Sequence, residues 1–358
     1  MKGLLKVLSP FAPDQSGAAS VFYDMGCITV ICDAGGCTGN ICGFDEPRWF
    51  AQAKPIFSAG LRDMDAILGR DDRLVGKLKL VAEKVDADFA AIIGTPVPAV
   101  IATDFRALKR MAEKRCGLPV VTVECTGTRL YDRGEEDAYL ELLETFATAE
   151  VADATAAEGS GKKLGVFGAT PLDLSSIDAD KLIREKYQGE YDEVFVYGMG
   201  DGKEALSKAA SNSRNLVIST AGIKAAEYLK EKYGTEYEIY CPIIPEEVKA
   251  ELGNIKGAKV LVLQQQVAAN TLRDELEKNG NEVTVASFFE MKDELMKAQD
   301  VRLETEEDYC RLIEEGGYDI VIGDELFKRA VSEESYGRWI RYTHFAVSGN
   351  LEERLCVL

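Results

Sequence analysis

Basic residues are scarce in this chain. Its 358 residues carry 42 lysines and arginines against 61 aspartates and glutamates, a formal net charge of −19. Nucleic-acid phosphates need a basic patch, so the balance argues against a nucleic-acid partner and leaves room for a basic protein partner. No run of like charge is long enough for a disordered acidic tail, so the charge reads as a solvated surface. Apolar runs are short as well: none could cross a bilayer, and "MKGLLKVLSPFAPDQSG" has too short an apolar stretch for a signal peptide. The expectation is a cytoplasmic protein with no membrane partner. A phosphate loop is also missing, because "GMGDG" at 198–202 has neither G-x-G-x-x-G nor the Walker lysine pattern and reads as a plain turn.

Cysteine is present in number, nine in all, and four of them fall at even steps in "DMGCITVICDAGGCTGNICGF": Cys27, Cys32, Cys37 and Cys42. A step of five turns a side chain about 140° round a helix and onto the opposite face of a strand, so no regular element gathers all four. "CITVIC" reads as a buried strand with Cys27 and Cys32 as core residues on opposite faces. "AGGCTGNICGF" has different physics, since glycines and an asparagine surround Cys37 and Cys42 where a strand ends. Thiolates in such a turn can hold an Fe–S cluster, tuned by nearby amides. The same residues also suit a small side chain packed at a glycine turn. In a reducing compartment the nine cysteines are thiols or ligands rather than disulfides. Cys116 and Cys125 flank the strand "LPVVTV" as core or surface thiols, Cys241 in "EIYCPIIP" ends a strand facing a cleft between units and reads as packing, and Cys310 and Cys356 carry no motif.

Length and composition, 46% hydrophobic and 29% charged, describe a globular chain too long for one ordinary core. Strand-like runs ("FAAIIGTP", "LPVVTVECT", "KKLGVFGAT", "DEVFVYGMG", "NLVISTAG", "AKVLVLQQQ", "EVTVASFF", "DIVIGDE") alternate with helical patterns such as "FRALKRMAEKRCG" and "ANTLRDELEKNG". That alternation predicts parallel sheets with helical crossovers. Gly-rich breaks at "EVADATAAEGSGKK" and "KAELGNIKGAKV" divide the chain into three α/β units, 1–158, 159–254 and 255–358, the first carrying the cysteine turn.

"FSAGLRDMDAILGRDDRLVGKLKLVAEKVDADFAAIIGTPVPAVIATDF", residues 57–105, resembles the core of the nitrogenase component 1 family. There a threonine-acidic segment, a "vfGg.ekL" helix and a strand ending "C.p.liGdD" follow in that order. The resemblance extends over nearly the whole chain: "GGCTG" matches the "G..GC" turn, "LPVVTVECTGTR" the "ipvi.v.tpGf" segment, and "YDIVIGDELFKRA" with "HFAVSGNL" the C-terminal region. It implies three Rossmann-like, doubly wound parallel-sheet domains. It also implies electrons received from an ATP-hydrolysing iron protein into a [4Fe-4S]-type cluster at a subunit interface.

The family supplies up to three cluster cysteines per subunit. Here the first position falls among Ser9 to Pro13, with no cysteine, the third falls on Thr95, and Cys37 is retained beside Gly35 and Gly36. The resemblance thus makes Cys37 a cluster ligand and Cys42 a second, and two protomers giving both across a two-fold axis complete four thiolates. The family's cofactor cysteine falls near Ser219 or Thr220, so no FeMo-cofactor is expected. His344, the single histidine, lies close to the family's cofactor histidine; between Tyr342 and Phe345 it also suits a packed structural role.

Three functions remain open at this point. The first is the catalytic component of a nitrogenase-like, ATP-dependent reductase acting on a small molecule or tetrapyrrole-like compound, with Asp33, Asp45 and Glu124 as proton-donor candidates near the glycine turn. The others are a non-catalytic scaffold for a metal cluster or tetrapyrrole, and a decayed subunit that buries surface against a catalytic sister. The partners expected are a second copy or a component 1-like sister subunit, and an iron-protein-like ATPase.

Overall fold

A computed structural model describes residues 5–148 and 161–358. The first Gly-rich break, "EVADATAAEGSGKK", lies almost wholly outside the described residues. Among the described residues fifteen strands are numbered in chain order, and three all-parallel sheets account for most of them. The first sheet has the order β2-β1-β3-β4, from β1 (Cys27–Ile31), β2 (Ile56–Ser58), β3 (Phe89–Ile93) and β4 (Val120–Val123). The second repeats that order as β6-β5-β7-β8, from β5 (Lys163–Phe167), β6 (Glu193–Val196), β7 (Arg214–Val217) and β8 (Tyr237–Ile239). The third runs β12-β11-β10-β13-β14, built from β10 (Lys259–Leu263), β11 (Glu282–Ser287), β12 (Val301–Arg302), β13 (Ile320–Gly323) and β14 (Arg338–Arg341). This is the doubly wound α/β architecture, and in each sheet the order reverses beside the first strand, where a crevice opens at the carboxyl ends.

The sequence explains the central strands. All five residues of β1 and of β3 are buried, as expected for strands covered by helices on both faces. Cys27 joins the core on one face, with Phe22, Phe89 and Val121, and Cys32 joins the other, with Leu74, Ile92 and Leu108. Helix Phe105–Cys116 starts on an Asp104 side chain that accepts from the Ala107 amide and stops at Gly117, which takes the left-handed conformation.

Two returns bind the sheets together. β15 (Leu355–Val357) comes back from the chain end to pair antiparallel with β9 (Ile243–Pro245). The segment before helix Asp14–Phe22 places Leu8, Phe11 and Ala12 in the core of the third sheet. That helix then lies against helix Tyr131–Phe146 so closely that a Cβ on Gly17 would fall 1.9 Å from the Tyr131 carbonyl oxygen, and one on Gly134 1.7 Å from that of Asp14. Only glycine allows such an approach. Among the described residues no helix is long and apolar enough to cross a membrane.

Candidate functional site

The cysteine turn sits at the reversal point of the first sheet, between the carboxyl ends of β1 and β3. Beyond β1, Gly35 adopts φ 118°, a conformation costly for any other residue, and the chain enters a short helix, Gly36–Asn40, continued by a π turn, Ile41–Asp45. The stretch expected as a loop is therefore helical. Its glycines disguise this, since each weakens intrinsic helix preference, and the conformation is fixed instead by a tertiary anchor at Asp33. Asp33 accepts from the Thr38 amide at 2.8 Å and from Ser58 Oγ at 2.6 Å.

Cys37 is half-buried against the first sheet's core, with Asp33 and the Thr95 hydroxyl as neighbours. Thr95 itself is fully buried and donates to the Cys32 carbonyl at 2.8 Å. Cys42, also half-buried, faces Glu46 and Tyr23 instead. Burial first, and then the neighbouring carboxylate, pushes both thiols above their ordinary pKa. That is the opposite of the electropositive setting that activates a nucleophilic cysteine. A bound metal would overcome the same cost, since coordination deprotonates a thiol outright.

The turn offers two half-buried thiols as metal donors, each against a different set of neighbours. The surface of the turn is bare, because a Cβ on Gly36, Gly39 or Gly43 would meet nothing within 4 Å. Among the described residues no group of three or more Cys, His, Asp or Glu could hold a metal ion by itself. Beside the turn lies an open cleft of about 710 Å³, where Asn40, Phe44 and Phe50 face residues 345–351. Phe44 is 73% exposed and Phe50 76% exposed. Behind the turn, Arg48 is buried in a cage of acceptors: both oxygens of Glu46, Asp24, the Ser20 carbonyl and hydroxyl, and the Gly198 carbonyl. "GMGDG" is a turn, as read from its sequence, and it supplies that last carbonyl.

The three proton-donor candidates fare differently. Asp33 is the anchor just described. Asp45 accepts from Ser16 Oγ and Asn40 Nδ2, both at 2.6 Å, and burial raises its pKa. Glu124 is exposed.

The other expected residues meet at the inner junction of the three sheets. Ser219 and Thr220, at the carboxyl end of β7, are buried. His344 is 1% exposed, and its Nε2 lies 2.9 Å from the Tyr131 hydroxyl. Burial alone lowers its pKa to about 3, so it is a neutral imidazole packed edge-on to Tyr131 and 4.6 Å from the Phe289 ring centroid. Its backbone N–H is bound by Asp324, fixing it at the start of the turn Phe345–Ser348. The cavity beside it, lined by Gln264, Phe288, Phe289 and Phe327, has a volume of about 10 Å³, roughly one water.

Sequence reasoning passed over three residues here, Tyr131, Glu135 and Asp173, all fully buried or nearly so. The signal available was Gly134 inside the helical "YDRGEEDAYLELLETF", which marks a close approach and hence burial of the acids beside it. A wider cleft of about 410 Å³ opens nearby, where Arg129, Asp132 and Arg133 face Phe289, Glu290 and Arg302.

The family model described as nitrogenase component 1 type oxidoreductase matches residues 16–256. Over 193 residues the chain is 26% identical to the nitrogenase iron-molybdenum cofactor biosynthesis protein NifE of Bradyrhizobium diazoefficiens, a match covering 51% of this chain and 33% of that protein. The chain thus spans about a third of the length of that curated relative. Among solved structures, "Nitrogenase Cp1 at pH 6.5" aligns with a TM-score of 0.70 at 13% identity, covering 95% of this chain and 87% of the other. "Nitrogenase Cp1 at pH 5" aligns at 0.58 and 15% identity, over 84% and 68%. The structures share the fold, and with the family model matching well over half of its length, this chain belongs to the nitrogenase component 1 type oxidoreductase family.

Proposed function

We propose that the chain is the catalytic component of a nitrogenase-like, ATP-dependent reductase, working as one subunit of a cluster-sharing pair. Cys37 and Cys42 would hold one side of an Fe–S cluster, most simply [4Fe-4S], and a second copy or a sister subunit would supply the remaining thiolates. The observation that carries this reading is the pair of half-buried thiols on a bare helical surface, beside the exposed rings of Phe44 and Phe50. Those rings offer a second subunit an apolar rim, and the absence of a third ligand among the described residues gives that subunit a role in the site. When bound, such a cluster supplies one-electron transfer at low potential. The chain's own residues set the frame: Asp33 and Thr95 orient the turn, and the buried Arg48 cage holds it against the second sheet.

ATP hydrolysis belongs to a separate iron-protein-like partner, and the working compartment is the cytoplasm. A small-molecule substrate suits the cleft of about 410 Å³, which lies in the lower part of the range for ligand pockets. The inner junction, filled by aromatic side chains, offers little room to a tetrapyrrole or a metal cofactor. We read the polypeptide as three units, 1–158, 159–254 and 255–358. A second reading, a scaffold on which a metal cofactor is assembled, is favoured by the likeness to NifE.

Anaerobic purification with iron and sulfide analysis and EPR tests the cluster. Cys37→Ser should lose iron and the EPR signal while keeping the fold. Cys27→Ser should keep iron and lose stability by about 1–3 kcal/mol, toward the lower figure. Phe22 O and Thr29 Oγ1 lie 3.5 and 3.4 Å from Cys27 Sγ and can partner the new hydroxyl. Equal iron in Cys37→Ser and the parent would reject the cluster. Turnover with an iron protein, ATP and candidate substrates separates the reductase from the scaffold.

A further inference from the structure

The inner junction contains a pair of carboxyl groups with no counter-charge. Glu135, from helix Tyr131–Phe146 of the first unit, and Asp173, from the turn Pro171–Leu174 of the second, lie within hydrogen-bonding range of each other and out of reach of solvent. One oxygen of each is spoken for. Thr170 Oγ1 donates to Glu135 Oε1 at 2.6 Å, and Tyr131 Oη donates to Asp173 Oδ1 at 2.8 Å. Glu135 Oε2 and Asp173 Oδ2 are buried without a well-formed hydrogen bond, and the one hydroxyl beside Asp173, that of Ser219, interacts with it too weakly to make one.

The surrounding charges do not relieve the pair. Along the same helix, Asp132 accepts from the Glu290 and Arg133 amides. Glu136 takes the nearby cations, Arg133, Lys224 and Lys292. Tyr139 donates to the Tyr197 carbonyl. From the third unit, His344 is neutral and Asp324 accepts from the His344 and Leu326 amides and from Ser348 Oγ. From the first helix, Asp14 is paired with Arg129. Two ionised carboxylates at this spacing, buried and unpaired, would repel strongly, whereas one proton between them satisfies both orphaned oxygens.

We propose that Glu135 and Asp173 share a single proton between Oε2 and Oδ2, and that this proton is a latch closing the junction of the three sheets. The pair joins the first unit to the second, and Tyr131, which also contacts His344, extends the joint to the third. Loss of the proton sets two carboxylates against each other and drives helix Tyr131–Phe146 away from the turn Pro171–Leu174. The site lies apart from the cysteine turn and is independent of whether that turn holds a cluster.

Two measurements on the full chain test this. The parent at pH 6 should show, beyond the contribution of Asp132, whose pKa burial raises to about 6, a further infrared carbonyl band of a protonated carboxyl, shifted by ¹³C-aspartate or ¹³C-glutamate labelling and lost by pH 9. It should be absent from Asp173→Asn and Glu135→Gln, where an amide donates to the remaining carboxylate. Over the same range, hydrogen exchange in 131–139 and 168–175, corrected for its intrinsic pH dependence, should rise in the parent and stay flat in both variants. If one variant fails to fold, the other and the labelled parent still decide. The proposal is overturned by a parent without the band at pH 6, by a band that persists in both variants, or by identical exchange profiles. A metal cation that survives chelation and protects the junction at pH 9 would also overturn it, replacing the proton with a cation.

Discussion

Replacing Arg48 by methionine tests the joint behind the cysteine turn. The guanidinium is 7% exposed and bonds Glu46 in bidentate fashion, Nε to Oε1 at 2.8 Å and Nη2 to Oε2 at 2.7 Å. It also reaches Asp24 at 3.0 Å and the Gly198 carbonyl at 2.7 Å. Its loss does not strand these partners equally. Asp24 is 19% exposed and keeps Lys54 at 3.6 Å, whereas Glu46 is 1% exposed and retains only the backbone amide of residue 48. Removing one partner of a buried pair typically costs about 3–5 kcal/mol, most of it the uncompensated charge left behind. In a chain of this size that lowers Tm by roughly 4–7 °C. Differential scanning calorimetry at a fixed scan rate reads the shift. The double variant Glu46→Gln with Arg48→Met should recover part of it, because the stranded charge is gone. A single variant within about 2 °C of the parent would refute the reasoning, as would a double variant less stable than the single.

Two further predictions concern the inner junction and the helix contact. His344 is neutral when folded, with its pKa lowered from 6.5 to about 3 by burial. The unfolded chain therefore binds a proton that the folded chain refuses as pH falls from 6.5 toward 3, a loss of up to about 5 kcal/mol. His344→Gln, whose amide can still donate to the Tyr131 hydroxyl oxygen, should flatten the fall in Tm between pH 6 and pH 4 relative to the parent; parallel curves would contradict this. Gly134→Ala should destabilise the protein by more than about 1–3 kcal/mol, since the new methyl meets backbone rather than a movable side chain. An unchanged melting temperature would show that helix Asp14–Phe22 shifts freely.

The sequence by itself determined the alternation of strand and helix and the position of nearly every central strand. Interior strands of parallel sheets are covered on both faces, so β1, β3, β10 and β13 are written as unbroken β-branched and apolar runs. The same local pattern places Cys27 and Cys32 on opposite faces, because strand periodicity depends on nothing distant. Edge strands such as β2, β8, β12 and β15, two or three residues long and partly exposed, are not legible, since their pairing comes from the neighbour already in place. Cys37 and the glycines about it stand out in sequence, yet the helical form of the turn does not, because Asp33 and Ser58 impose it against the preference of the glycines. The acidic excess reads as a solvated surface, and for most of those residues it is one. Only the tertiary structure decided that Glu46, Asp132, Glu135 and Asp173 are inside. Burial is set by what packs opposite a residue, and the elements opposite these acids lie elsewhere in the chain: Glu135 meets Thr170, and Asp173 meets Tyr131.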